Sequence, residues 1–220
     1  MKFNEEIAKR TAEFLLQIKA IKLNNKQPFT WASGRKSPIY CDNRITLSYP
    51  KVRNFIRQQF VDLINDKFGN VDLIAGVATG GIAHGVLVAQ EFGLPFAYVR
   101  SEEKKHGLTN QIEGVVNSGN SVVVIEDLVS TGKSSLNAVN ALIAAGANVK
   151  GMAAIFTYAL RVAEENFKNS NVVLYTLTDY NTLIKVAVEE NYITTDDLFS
   201  LNEWRENPEL WSENKIKEGF

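Results

Sequence analysis

Three short, almost uninterrupted apolar runs set the fold class of this chain of 220 residues: Val71 to Val77 (VDLIAGV), Val122 to Ile125 (VVVI) and Met152 to Phe156 (MAAIF). Each is of strand length, and helical periodicity lies between them. The small-residue loop Ala78-Thr79-Gly80-Gly81 and a helix from Ile82 to Phe92 follow the first run. Phe96 to Val99 supplies a further strand. A helix from Ser134 to Ala145 follows the second run, with Leu136, Val139, Leu142 and Ile143 inward and Gly146 as its stop. Strands that are apolar on both faces and alternate with helices belong to a mostly parallel sheet covered on both sides. The expected fold is therefore a doubly wound α/β domain, with its ligand outside the carboxyl ends of the strands.

Around this core, Asn4 to Leu23 places Ile7, Thr11, Phe14, Leu15, Ile18 and Ile21 on one helical face, with Asn4 as cap and Glu5 and Glu6 in the first turn. A turn-rich stretch, Pro28 to Arg44, precedes a second helical pattern from Val52 to Phe68. The tail from Asn191 to Phe220 carries Trp204 and Trp211 at helix-compatible positions, as expected of a surface helix packed on the domain or on a partner subunit. With neither linker nor repeat, the whole of residues 1–220 is expected to form a single domain: amino-terminal elements over about 1–45, a core over about 46–190 and a helical tail over about 191–220.

A formal net charge of −1 provides no positive field for nucleic acid or anionic membrane. The opening MKFNEEIAKR leads into no apolar segment, and no apolar run is long enough to span a bilayer, so a soluble cytoplasmic protein is expected. Cys41 is the single cysteine and is read as structural.

Function is concentrated in VVVIEDLVSTGKSS, residues 122–135. Its second half looks like a nucleoside-triphosphate loop, but Asp127 stands where such a loop requires glycine, and a carboxylate there would repel the bound phosphates. Taken instead as a strand ending in Glu126 and Asp127, a loop from Leu128 to Lys133 and a helix from Ser134, the segment has two zones. Backbone N–H groups, hydroxyls and the helix dipole at Thr131, Gly132, Lys133, Ser134 and Ser135 suit a terminal phosphate, with ~0.3–2 kcal/mol from the dipole. Glu126 and Asp127 suit the hydroxyls of a vicinal diol, at about 1.5–3 kcal/mol per charge-assisted bond. Together they describe a clamp for ribose 5-phosphate.

This segment resembles the signature of the type I phosphoribosyltransferases, whose ligand is 5-phosphoribosyl 1-diphosphate. On that resemblance Glu126, Asp127, Leu128, Val129, Ser130, Thr131, Gly132, Lys133 and Ser134 contact that ligand. Lys133 is taken as a solvated member of the loop, not a catalyst. The polar stretch from Arg100 to Gly114 looks like the catalytic loop of the orotate phosphoribosyltransferases, placing Arg100, Lys104 and His106 on the diphosphate. Ser101 departs from a frequent lysine of that family, so the cationic contact made there is either absent or supplied by Lys105. Phe29 to Tyr40 (FTWASGRKSPIY) follows the family's substrate-facing hood, with Ala32 where some members carry lysine. Ala78 to Ile82 matches the loop that approaches the diphosphate through its backbone; Gly80 and Gly81 serve there either a tight turn or direct contact. Ser130 falls on an orotate contact, and ungapped counting puts Tyr158, not Arg161, where some members use arginine for the orotate carboxylate. His84 is expected to be packed or at the surface, not a ligand.

The resemblance implies Mg²⁺-dependent transfer of the phosphoribosyl group to orotate, giving orotidine 5′-monophosphate for pyrimidine synthesis, with Asp127, Arg100, Lys104 and His106 as the catalytic set. It also implies Mg²⁺ held mainly by substrate oxygens and a homodimer whose loop from Ser101 to Glu113 closes over the neighbouring subunit's site. Transfer to another nucleobase, or a noncatalytic sensor of the same ligand, are the competing readings.

Overall fold

The computed structural model describes residues 1–31, 33–100 and 111–220. Helix α1 (Glu5–Gln17) is followed by two small antiparallel ribbons: β1 (Ile21–Leu23) on β4 (Ile39–Cys41), and β2 (Phe29–Thr30) on β3 (Lys36–Ser37). A 3-10 helix (Asn43–Ser48) leads into α2 (Pro50–Lys67). Then come β5 (Leu73–Val77), α3 (Gly80–Phe92), β6 (Phe96–Val99), β7 (Ile112–Glu113), β8 (Ser121–Val129), α4 (Lys133–Ala144), β9 (Asn148–Thr157), α5 (Arg161–Asn169), β10 (Leu174–Asp179) and α6 (Tyr180–Glu189). Helices α7 (Asp197–Glu206) and α8 (Pro208–Lys217) form the tail.

The described strands build a six-stranded sheet in the order β10-β9-β8-β5-β6-β7, parallel throughout except for β7. One face carries the apolar side chains of α1, α2, α3, α6 and the tail; the other is covered by Leu136, Val139 and Leu142 of α4 and Phe167 of α5. Helices therefore flank both faces, as the continuous apolar runs require. Chain connections leave β5 through α3 toward β6 and leave β8 through α4 toward β9, in opposite directions. The carboxyl ends of β5 and β8 thus border the topological switch point, where an open α/β sheet forms its ligand crevice. No helix among the described residues is long and apolar enough to cross a membrane.

Three expectations change, one of them at Ile143 of α4, which was expected inward but is 51% exposed. The first helix stops at Gln17 instead of running to Leu23, because Lys19 takes a left-handed backbone (φ 58°) and the following residues pair with β4. Ala20 and Ile21 kept the apolar spacing, but they are buried as part of a ribbon. Asn4 does cap the helix, accepting from the amides of Glu6 and Ile7. The tail is two helices, since Pro208 cannot donate to the preceding turn and instead opens α8 under the Asn207 cap. Its tryptophans face inward: Trp204 is 1% exposed, with Tyr158 and Tyr180 each 5.4 Å away between ring centroids.

Trp204→Ala should lower unfolding stability by about 3–5 kcal/mol, the cost of truncating a buried large aromatic. Urea denaturation measures this, and a loss below about 1 kcal/mol would mean that the tail is dispensable to the core.

Candidate active site

Strand β8 runs further than its apolar residues suggest. The acid pair was expected at the strand's end, with a loop from Leu128, but the ladder to β9 continues through Glu126↔Ala154, Leu128↔Phe156 and Val129↔Thr157. On the other flank the ladder to β5 stops at Gly76↔Ile125. Glu126 and Asp127 therefore stand on a strand extension paired on one side only, at the switch point, and backbone pairing fixes both.

The two acids have different surroundings. Glu126 is 4% exposed; its carboxyl accepts from the Ser135 hydroxyl at 2.8 Å and from the Asp127 amide at 3.0 Å. Burial pushes its pKa well up, and the negative charge of Asp127 and a hydrogen bond between the two carboxyls push the same way. Glu126 therefore resists taking up a full charge. Asp127 is half-buried, and its carboxyl lies against Gly80, where any Cβ would overlap it. Gly81 likewise abuts the Ile125 carbonyl. The two glycines thus serve close packing of α3 on β8. The Ala78–Thr79 peptide just before them is cis.

Beyond Val129, Ser130 and Thr131 lead to Gly132, the cap residue of α4, whose φ of 78° requires glycine. Gly132 has no side chain to cap this helix, which suits the first amides of α4, those of Lys133, Ser134 and Ser135, to an anion. Asn166 of α5 steadies the loop by donating to the Thr131 carbonyl at 2.9 Å. Lys133 and Ser134 are exposed, whereas Val129 is buried and Leu128 half-buried. Helix α4 begins one residue earlier than expected.

A cavity of about 440 Å³ opens beside the loop, lined by Thr30, Trp31, Tyr40, Cys41, Leu128, Ser130 and Tyr158. Trp31 and Tyr158 stack with centroids 5.6 Å apart, and the Trp31 indole donates to the Ile39 carbonyl at 3.1 Å. The amino-terminal ribbons thus provide one wall and the core the other, with aromatic faces suited to a flat ring. Ser130, expected at the base, lines this cavity. Arg161 does not: it lies on an adjoining cavity and pairs with Glu165 at 2.8 Å. Tyr158, noted in the sequence only for standing in an arginine's place, is part of the wall.

Arg100 follows β6 at the same edge of the sheet, its guanidinium 3.6 Å from Glu113 and its backbone paired with Gln111. Lys104, His106, Ser101, Lys105 and Ala32 lie outside the described residues. His84 is packed, 1% exposed, with burial lowering its pKa to about 4. Among the described residues, no group of three or more His, Cys, Asp or Glu side chains could hold a metal ion.

Residues 48–189 match the family model described as the phosphoribosyl transferase domain. The chain is 56% identical to an orotate phosphoribosyltransferase of Listeria innocua over 205 residues, covering 93% of this chain and 98% of that one. Among solved structures, an orotate phosphoribosyltransferase from Aeropyrum pernix superposes with a TM-score of 0.71 at 26% identity, over 83% of this chain and 98% of that one. A UMP synthase of Leishmania donovani shares the fold (TM-score 0.73, 24% identity, 90% of this chain); this chain spans 42% of that longer protein.

The raised pKa of Glu126 has a definite sign. The folded state holds this proton more tightly than the unfolded chain, so the group's contribution to stability falls as pH rises above the ordinary 4.5 of a glutamate. Glu126→Gln should therefore gain stability relative to the unaltered protein as pH increases from 5 to 9, read from paired urea melts. Parallel curves across that range would refute the assignment.

Proposed function

The chain belongs to the phosphoribosyl transferase family, beside its orotate-using members, and we propose that it transfers the phosphoribosyl group of 5-phosphoribosyl 1-diphosphate to N1 of orotate, releasing diphosphate and orotidine 5′-monophosphate. One observation carries the reading: the aromatic cavity opens onto Ser130, within the loop that joins the acid pair to the uncapped start of α4. A ring in the cavity and a sugar phosphate in the loop then meet across one short span.

In this arrangement the amides from Thr131 to Ser135 receive the 5′-phosphate, and Glu126 and Asp127 face the ribose hydroxyls. Leu128, Val129 and Ser130 run between sugar and base. The C1–O bond to diphosphate breaks with its electron pair leaving on oxygen; N1 of the base forms the new bond to C1, and its proton passes to the departing diphosphate or to water. Little covalent chemistry falls to the protein, which places the reacting atoms together and offsets charge on the leaving group.

Arg100 follows β6 at the edge where that diphosphate would lie, and the family reading gives Lys104 and His106, outside the described residues, the same role. On the family reading, Mg²⁺ would be carried by substrate oxygens and water rather than by protein side chains. When bound, that ion spreads the negative charge of the diphosphate. By the same family reading the enzyme is a cytoplasmic homodimer in which the loop of one subunit covers its neighbour's site, within a single domain formed by hood, core and tail.

The test is loss of orotate's ultraviolet absorbance on adding 5-phosphoribosyl 1-diphosphate and Mg²⁺, with uracil, xanthine and hypoxanthine as competing acceptors. Turnover of one of those in preference to orotate would displace the reading. Asp127→Asn should raise the KM for the phosphoribosyl donor about tenfold to a hundredfold, the worth of one charge-assisted hydrogen bond. Lys104→Ala should lower kcat by roughly 10²–10³ with little change in donor affinity, and unchanged turnover would remove Lys104 from the mechanism.

A further inference from the structure

Asp127 is the residue at which β8 has lost its neighbour. Strand β5 ends its ladder at Ile125, so the following backbone on that flank needs another partner. The partner comes from the 3-10 helix, where the buried side chain of Asn43 donates from Nδ2 to the Asp127 carbonyl oxygen at 2.6 Å. A carbonyl can only accept, so the amide nitrogen must face it. The Asn43 Oδ1 then accepts from the Cys41 thiol at 3.4 Å. Burial pushes that thiol's pKa well up, which keeps it protonated and able to donate.

A second link runs from the same asparagine. The Thr46 hydroxyl, fully buried, donates to the Asn43 carbonyl at 2.5 Å and lies 3.1 Å from Nε2 of His84. The hydroxyl has one proton and spends it on Asn43, so Nε2 carries the hydrogen and donates to Thr46. This assigns a neutral tautomer to His84, with Nδ1 buried and without a hydrogen-bond partner among the described residues. His84 is on α3, one turn beyond Gly80, whose backbone lies against the Asp127 carboxyl. The 3-10 helix holds the backbone of Asp127, α3 confines its side chain, and the Thr46–His84 contact joins the two supports.

We propose that Asn43, Thr46 and His84 form a positioning chain that sets Asp127 against the ribose of the phosphoribosyl donor. None of the three touches the crevice through an exposed polar atom; they act through Asp127. The inference rests on the proposed role of Asp127, and the test separates the two.

Asn43→Ala and Thr46→Val should each raise the KM for the donor by about fivefold to tenfold and leave the KM for orotate within about twofold. Thr46→Ser, which restores the hydroxyl, should return the donor KM to its starting value. The double variant Asn43→Ala with Asp127→Asn should be no worse than Asp127→Asn alone, because a support matters only while the supported group works. Additive penalties in the double variant, or equal rises in both KM values, would overturn the positioning role. If Asp127→Asn itself leaves donor KM unchanged, the ribose assignment fails instead. Should Asn43→Ala not fold, the isosteric Thr46→Val and its serine rescue decide the question: an unchanged donor KM in folded Thr46→Val rejects the chain.

Discussion

The site depends on the first turn of α3 lying directly against the end of β8. Gly80 and Gly81 let two backbones meet where side chains would force them apart, one glycine against the Asp127 carboxyl and the other against the Ile125 carbonyl. This contact is possible because β5 stops early, leaving one flank of β8 open just where its acidic residues begin. Had β5 continued, Asp127 would be an ordinary interior ladder residue with a charge that no sheet could bury cheaply. The short strand, the two glycines and the acid pair are thus parts of one arrangement.

The same crowding reconciles two demands that look contradictory. On the proposed reading a phosphorylated sugar is bound beside two acids carried on the end of β8. Burial and proximity keep Glu126 from ionising readily, while the amides at the start of α4 have no side-chain cap competing for their donors. On the proposed reading, negative potential is held down at one end of the ligand and positive potential is provided at the other. The separation is set by a strand of fixed rise and a three-residue turn.

Much of this was legible because it is local. The runs in β5, β8 and β9 declared a covered parallel sheet, and the order of acid pair, small loop and helix in residues 126–135 declared the chemistry of the ligand. What escaped depended on partners far away in the chain. The pairing of Glu126 and Leu128 with β9 lengthened a strand whose apolar stretch ended at Ile125. The segment after Lys19 became a ribbon through β4 although its periodicity continued that of a helix. Strand β10, half polar as LYTLTD, carries no continuous apolar signal. Asn43 gave no sign of its role, since its partner lies 84 residues away and its own neighbours look like any polar turn. Tyr158 was visible only as a departure from a familiar arginine, and its place in the cavity wall follows from stacking on Trp31.

Two of the chain's three tryptophans, Trp31 and Trp204, lie at one wall of that cavity. Trp31 forms part of the lining, Trp204 sits 6.0 Å from it edge-on, and the Trp211 indole donates to Ser200 of the same tail. Much of the intrinsic fluorescence of the protein therefore arises from this neighbourhood. Occupation of the cavity by a ring that stacks on Trp31 has a native optical signal, without any label.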